Sequence, residues 1–566
     1  MEAVGVLFQF IGGLGMFLYG MNAMADGLQK SAGSRMQQLL EVLTSNKLLG
    51  ILVGAGITAI IQSSSATTVM VVGFVNAGII NLGQAVGIIM GANIGTTVTS
   101  WIVSMSEWGE MLKPEFFAPL LVGIGAAVIM FAKDSRKKQI GEIFIGFGLL
   151  FIGLDFMSSA IKPYRDAPIF AQAFSVLGRN PLLGILTGAV VTAIIQSSSA
   201  SVGILQTLAL NGVVNWQSAI FITLGQNIGT CVTALLSSVG AHRTAKRAAV
   251  IHLLFNCIGA VIFGILMFIL FQFRPQLAAS PINSVEISIF HTIFNIANTI
   301  ILFPFTNYLV KLSYVFVKEP KEEKEQVVDV ESEMMRHLDS RILENPSFAI
   351  EHVENEVVRM GQTALMNLKI SGEAILKNNQ FEAEEVLKNE ETINHMERML
   401  TDYLVKVSNL SLNEEQHLLV KNLLYTISDI ERIGDHCKNL AELAEAKIKN
   451  NIQFSAEAQR EMEEIVMAAV DSVDHAVKAR EAHDMYEVRQ VVQCEEQVDS
   501  LEEDLRERHV ERLSKNLCTT ETGVIFLDAI SNLERVSDHA HNIAGYVRDE
   551  ICLLYTSPSP RDGATS

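Results

Sequence analysis

The chain has 566 residues, 49% of them hydrophobic, with a positive mean hydropathy and a net charge of −19; so apolar a composition at this length excludes a wholly water-soluble protein and leaves room for several domains. The charge is unevenly divided: Met1 to Val315 carries 16 Lys and Arg against 11 Asp and Glu, and the remainder carries 27 against 51. The first part is therefore read as living in lipid and the second in water. Cys231, Cys257, Cys437, Cys494, Cys518 and Cys552 stand without CxxC spacing, which excludes a disulfide framework or a zinc motif and suits reduced thiols.

The N-terminus has Glu2 instead of a basic region and runs straight into Gly-rich apolar sequence, so no removable signal peptide is expected. Two stretches without any Asp, Glu, Lys or Arg follow, 59 residues between Lys47 and Glu107 and 63 between Arg179 and Arg243. Each is too long for one span of about 20 residues. They align without a gap at an offset of 134 residues: Gln62-Ser-Ser-Ser65 with Gln196-Ser-Ser-Ser199, Gly78 with Gly212, Asn81 with Asn215, and Gly91-Ala-Asn-Ile-Gly-Thr-Thr-Val-Thr99 with Gly225-Gln-Asn-Ile-Gly-Thr-Cys-Val-Thr233. Upstream, Gly13, Gly15 and Gly20 recur as Gly146, Gly148 and Gly153.

Each copy is expected to hold a leading helix (Gly5 to Met24; Ile143 to Ile161), a polar-tipped hairpin, a span through Asn-Ile-Gly-Thr and a further span (Phe117 to Phe131; Ala248 to Phe271). Half-helices such as Leu48 to Ile61 and Ala66 to Ile80 are short for crossing alone, so each hairpin is read as re-entrant. Three crossings per copy is an odd number, which requires the copies to lie inverted. The basic run Lys133 to Lys138 and the group His242, Arg243, Lys246, Arg247 mark the cytoplasm, and the acidic run Glu107 to Glu115 marks the exterior. The positive loop of Lys162, Arg165 and Arg179 then falls outside, against the trend. A last span, Ile287 to Leu312, returns the chain to the cytoplasm.

Inverted hairpins would bring half-helix ends together near the midplane, where N-termini carry partial positive charge. Ser64, Ser65, Ser198 and Ser199, with the N–H groups at Ala66 and Ala200, can donate to an anion. Oxygens of Gln62, Gln196, Asn93, Asn227, Thr96 and Thr230 suit a hard cation such as sodium. With no charged side chain in either stretch, an anion and a cation entering there would be each other's compensation. Ser, Thr and Gly in membrane helices also serve close packing; the duplication of the whole constellation at constant spacing favours binding. Asp155 is either a functional carboxylate or an interfacial one, and His252, His291, Asn256 and Asn295 are read as interhelical hydrogen-bonding residues.

Beyond a charged linker the sequence becomes amphipathic helix and is again duplicated. Ile427 to His436 with Asn439 corresponds to Ile530 to His539 with Asn542, and Glu390-Glu391, Asn394 and Glu397 to Glu495-Glu496, Asp499 and Glu502. Two antiparallel three-helix bundles are expected. Glu431 and Asp435, and Glu534 and Asp538, share a helical face, and Glu391, Glu496 and Asp499 could approach from a neighbouring helix; converging carboxylates would bind a divalent or transition metal, while the alternative is a solvated acidic face.

With these motifs the membrane part resembles the type II sodium/phosphate cotransporter family, and residues from about 340 to 550 resemble a PhoU domain, a bacterial regulator of phosphate uptake. The resemblance implies sodium-driven phosphate uptake, with Gln62, Ser63, Ser64, Ser65, Gln196, Ser197, Ser198 and Ser199 binding phosphate and Asn93, Thr96, Thr97, Asn227 and Thr230 serving sodium coupling. Cys231 stands where the first copy has Thr97, so the halves are not equivalent there. The expected fold is all-α: membrane repeats over residues 1–135 and 136–315, a linker over 316–339, a PhoU-like pair of bundles over 340–551, and a non-native tail over 552–566 resembling a translated vector scar.

The expected location is the cell inner membrane, multi-pass, with the tail in the cytoplasm. Expected partners are inorganic phosphate, sodium, the lipid bilayer, a second copy in a homodimer and a cytoplasmic regulatory protein, with no nucleic acid. The serine clusters lack a neighbouring His or Asp base, so no enzyme is expected. A phosphate sensor without net transport, or a sodium-coupled carrier of another oxyanion, are the alternatives.

Overall fold

The computed structural model describes residues 2–32, 47–108, 114–132, 135–164, 168–318 and 338–556. Parts of the acidic and basic loops (109–113 and 133–134), Arg165, most of the linker (319–337) and the tail beyond 556 lie outside the described residues. The chain forms two compact units, Met1–Gln326 with Asp339–Ser347, and Val327–Leu338 with Phe348–Ser566.

In the first unit the leading helices α1 (Glu2–Ala32) and α7 (Ser135–Ile161) pack together. Gly13 faces Gly153 and Gly20 faces Gly146, so close that a Cβ on Gly20 would overlap the Gly146 carbonyl. As one number rises while the other falls, equivalent helices of the two repeats run in opposite directions. The first hairpin is α2 (Lys47–Ile61) and α3 (Ser64–Ala77), followed by α4 (Leu82–Gly95), α5 (Thr97–Ser104) and α6 (Pro114–Phe131). The second repeat adds α8 (Pro168–Arg179), the hairpin of α9 (Pro181–Ile195) and α10 (Ser198–Leu210), then α11 (Trp216–Ser237) and α12 (Arg243–Phe273). Short α13 (Pro275–Ala279), then α14 (Ser284–Leu302) and α15 (Thr306–Phe316), complete it.

Among the described residues, six helical stretches are long and apolar enough to cross a membrane: Val4–Ser31, Leu82–Glu107, Lys137–Tyr164, Trp216–Ser237, Arg243–Phe273 and Ser284–Phe316. The hairpin arms fall short. The 14 residues of α3 span only about 21 Å at 1.5 Å per residue, against a hydrocarbon core of about 30 Å. The hairpin bases lie at opposite ends of α12. At its start, Asn76 accepts from the His242 N–H at 2.8 Å; beyond its end, the Ile282 and Trp216 N–H groups donate to Val214 and Ser280 at 3.3 and 3.0 Å. The hairpins are therefore inverted, as the leading helices are.

Local chemistry explains the turns. Gly78 and Gly212 take φ of 78° and 66° to leave each hairpin, and Asn81 and Asn215 then cap α4 and α11 through the N–H groups of Gln84 and Ser218. The structure departs from the sequence reading in the loop before the second hairpin and in the motif spans. The loop read as external contains α8, set at 111° to α9, because Asn180 caps α9 and Pro181 takes its first position. The Asn-Ile-Gly-Thr span breaks at Thr96 in the first repeat and is continuous through Thr230 in the second.

The second unit holds α16 (Pro346–Lys377), α17 (Gln380–Ser408) and α18 (Glu414–Lys449), then α19 (Ala456–Ala482), α20 (Met485–Ser514) and α21 (Thr520–Thr556). These are the two three-helix bundles, joined mainly along α18 and α21.

Gly91 and Gly225 sit where the motif spans touch the first hairpin arms, and a Cβ on either would overlap the carbonyl oxygen of Ile51 or Ile185. Overpacking a close crossing costs about 1–3 kcal/mol or more. Gly91→Val and Gly225→Val should each lower the thermal midpoint of the detergent-solubilised protein by several degrees, whereas Gly123→Val, with open space around it, should not.

Candidate functional site

Each Gln-Ser-Ser-Ser makes a two-residue turn between helices. Gln62 and Gln196 take the left-handed conformation, φ 57° and 56°, uncommon for a residue with a Cβ. Ser63 and Ser197 are extended and cap the next helix, their hydroxyls accepting from the Ala66 and Ala200 N–H groups at 3.1 and 3.2 Å. Thr67 and Ser201 donate their N–H groups to the Ser63 and Ser197 carbonyls. Of the four N–H groups a helix start leaves open, the cap takes that of Ala66 or Ala200 and leaves those of Ser63, Ser64 and Ser65, and of Ser197, Ser198 and Ser199. The expected donors at Ala66 and Ala200 are thus spent on the caps, because α3 and α10 begin two residues earlier than the apolar pattern suggests. Thr58 bonds Thr67 at 2.9 Å, and Thr192 bonds Ser201 at 2.9 Å, pinning the arms of each hairpin.

The two tips meet. The hydroxyls of Ser64 and Ser198 stand 3.4 Å apart, and Gln62 to Ser65 with Gln196 to Ser199 line one cavity of about 210 Å³, whose remaining wall is Met21, Asn22, Ala25 and Ile61. No lining residue is charged. Two helix N-termini and four serine hydroxyls can donate to an anion there, and the amide oxygens can accept a cation.

The halves are unequal. Gln62 is 5% exposed, and its Oε1 accepts from the Thr99 hydroxyl at 2.9 Å. Ser199 donates to Thr99 in turn at 3.3 Å, which links the repeats. Gln196 is exposed, and Thr233, the counterpart of Thr99, leaves its buried hydroxyl unpartnered. Thr99 and Asn22 were missed by the sequence reading. Thr99 closes the duplicated Gly91–Thr99 stretch and could have been found there; nothing in the local pattern marks Asn22.

The residues read as coupling residues lie off the cavity lining. Asn93 and Asn227 donate to the Ile89 and Thr223 carbonyls of their own helices, and Thr96, Thr97 and Thr230 to those of Ala92, Ile94 and Gln226. What the motif visibly does is pack: a Cβ on Gly95 or Gly229 would press on the Ala55 or Ala189 carbonyl and on Thr58 or Thr192. Cys231, the asymmetric position, accepts from the Asn256 amide at 3.3 Å.

In the second unit the acidic faces are shifted by one residue from expectation. Glu390 is buried, bonded to Asn394 at 2.8 Å and Lys438 at 3.3 Å, and Glu391 is exposed. Oxygens of Glu495, Asp499 and Asp538 lie within 4.8 Å of one another, and Glu496 is exposed. Each residue turns a helix by about 100°, so Glu391 and Glu496 point away from the face that positions 390, 394 and 397, or 495, 499 and 502, share. Burial, then Asp538 and Glu502, raises the Asp499 carboxyl, and burial, then Asp538, raises that of Glu534. In the first bundle burial, then Asp435, raises Glu431, with Arg432 opposing at 3.8 Å. The donor set Glu495, Asp499 and Asp538 fits a hard divalent cation that would relieve this repulsion.

A second carboxylate group does not fit a metal. Glu354 and Glu550 are held by buried Arg480 at 2.6 and 2.5 Å and by His483 at 3.1 and 3.5 Å, so their charge is already compensated. The hydrogen bond to Glu354, then that to Glu550, pushes His483 up to about 9.

The chain matches the Na+/Pi-cotransporter family over residues 16–159 and 167–280, and the PhoU domain over residues 357–444 and 460–547. It is 30% identical over 312 residues to "Uncharacterized protein YqeW" of Bacillus subtilis (strain 168), 55% of this chain and 98% of that protein. It is 24% identical over 547 residues to "Putative inorganic phosphate export protein YjbB" of Escherichia coli (strain K12), 96% of this chain and 98% of that one. To the human "Sodium-dependent phosphate transport protein 2B" it is 33% identical over 111 residues, 19% of this chain and 16% of that protein. The crystal structure of PhoU from Pseudomonas aeruginosa matches at 22% identity with a TM-score of 0.35, over 36% of this chain and 96% of that one. The chain belongs to the sodium/phosphate cotransporter family and carries PhoU domains at its C-terminus, which makes it a multi-pass membrane protein of a phosphate transporter family.

His483 is ordinarily near 6.5 when unfolded, so its raised folded value adds stability that is full below that pH and is lost as pH rises through about 9. Amide exchange of the full chain in α19–α21 should therefore accelerate between pH 6.5 and 9 beyond the intrinsic rate. In His483→Gln that pH-dependent excess should vanish.

Proposed function

We propose that the protein is a secondary transporter importing inorganic phosphate with sodium, regulated by its PhoU tail. The observation that carries the reading is the uncharged cavity between the two Gln-Ser-Ser-Ser tips. Phosphate would be held by the Ser64, Ser65, Ser198 and Ser199 hydroxyls and N–H groups, with Ser63 and Ser197 shaping the turns. Hydrogen bonds alone do not neutralise it, and sodium does: two unit charges 4 Å apart attract by about 4 kcal/mol at an effective dielectric of 20. Binding either ion then raises affinity for the other by the same factor. Gln62, Gln196 and Thr99 supply oxygens at the tips, and the oxygens of Asn93, Thr96, Thr97, Asn227 and Thr230 would join only after their helices shift.

Export is a second reading, favoured by the name of the relative that aligns with 96% of this chain. Proteoliposomes separate the two. Import predicts accumulation of radiolabelled phosphate under an inward sodium gradient and not under a potassium gradient; phosphate leaving preloaded vesicles with no sodium dependence would establish export instead. Ser64→Ala and Ser198→Ala should each lower flux at least tenfold with protein retained in the membrane, and unchanged kinetics would return these serines to packing.

A divalent or transition metal at Glu495, Asp499 and Asp538 is the companion reading for the tail, where it would bind the two bundle helices α20 and α21 together. Manganese titration of the full chain should give binding weakened at least tenfold by Asp499→Asn with Asp538→Asn, with the thermal midpoint of the metal-free protein not lowered. Equal binding by the double variant would remove the metal from this face.

A further inference from the structure

A short segment ahead of the PhoU helices belongs to the membrane unit. Residues Asp339–Ser347 group with the first compact unit, and their 3-10 turn, Ser340–Glu344, lies along α3. Asp339 accepts from the Asn76 amide at 2.6 Å and from Arg341 at 2.6 Å. Arg341 donates to the Ser237 carbonyl at 2.6 Å and the Val239 carbonyl at 3.4 Å, covering the C-terminal end of α11 with a positive charge. Asn76 also accepts from the His242 N–H at 2.8 Å. Ile342 is fully buried. Gly73 provides the room: a Cβ there would lie 3.0 Å from the Arg341 Cβ and 3.3 Å from the Ile342 Cγ1.

These contacts reinforce a junction between the repeats at which α3 already packs against α11 and α12. α3 is the second arm of the first hairpin, and its opposite end is Ser64–Ser65 in the cavity; Ser237, Val239 and His242 belong to the α11–α12 turn of the second repeat. Transport by inverted repeats requires one repeat to move against the other, and a tie between them opposes that movement. The tie is also continuous with the tail, since Pro346, two residues after the turn, opens α16.

We infer that Asp339–Ser347 is a brake: a clip that holds α3 to the α11–α12 turn, and through which the PhoU bundles restrain the cavity. The inference rests on the transport reading for its flux consequence and on geometry alone for the clip. α3 is one rigid helix, so tension applied to α16 and received at Gly73 and Asn76 is delivered about 12–18 Å away at the N–H groups of Ser64 and Ser65.

The test uses the full chain in nanodiscs and in proteoliposomes, with Arg341→Ala, Arg341→Lys and Gly73→Leu. Without any substrate, Arg341→Ala and Gly73→Leu should speed amide exchange at least threefold over residues 72–80 and also at the tip, residues 62–68, with residues 192–203 unchanged. Arg341→Lys, which keeps a charge for Asp339 but loses the forked reach to two carbonyls, should fall between. Phosphate flux should rise at least twofold in Arg341→Ala. Exchange that stays at the parent rate over 72–80, or rises there and not at 62–68, would overturn the clip; faster exchange at the tip with flux unchanged or lowered would overturn the brake. A parent chain that moves no phosphate would sink the transport reading, and the substrate-free exchange comparison would still decide whether the clip holds.

Discussion

A helix that ends halfway across a bilayer leaves backbone donors and acceptors where no water reaches them. The first unit is arranged around four such ends, those of α2, α3, α9 and α10. Ser63 and Ser197 satisfy part of each helix start, Thr58 and Thr192 lock the arms, and the turns close through glutamines in the left-handed region. What is left over, the three serine N–H groups at each tip, belongs to residues that line a shared cavity. The unsatisfied remainder of a folding problem is thereby the surface on which the proposed anion site is built.

Because the cavity has no charged wall, the proposed phosphate and sodium would be each other's compensation there. A lysine beside the serines would hold phosphate firmly without sodium, and an aspartate would hold sodium without phosphate; either would uncouple the pair. The duplication makes the neutral site from two half-sites, yet the halves have diverged. Thr99 ties Gln62 to Ser199, while Gln196 stands exposed and Thr233 lacks a partner. A pair of repeats that must move past each other has reason to differ in how firmly each tip is held.

The second unit applies electrostatics differently. Glu495, Asp499 and Asp538 crowd together with His541 beside Glu495 at 3.4 Å and no Lys or Arg bonded to any of the three among the described ion pairs, and their mutual repulsion is what a divalent cation would relieve. Glu354 and Glu550 crowd as closely, but Arg480 and His483 neutralise them and convert the group into a strut between helices. Counting carboxylates alone would not separate these two clusters; the buried guanidinium does.

Much of this was legible before any coordinates, because it is written in local pattern. Helix length against bilayer thickness gives the re-entrant hairpins, Ser after Gln gives the capped turns, an odd number of spans gives inversion, and the i, i+4 carboxylates give the acidic faces. Other features needed the fold. Glu390 and Glu495 displace Glu391 and Glu496 because a single residue turns a helix by about 100° and only packing decides which neighbour faces inward. Asn22 reaches the cavity, Thr99 reaches Gln62 and Ser199 in its wall, and Arg341 reaches the end of α11, across separations in sequence that no periodicity encodes. Repeats, caps and the absence of charge follow from the sequence by itself, since each acts within a few residues of chain; which distant side chains meet depends on crossing angles and glycine contacts, and only the tertiary structure decided it.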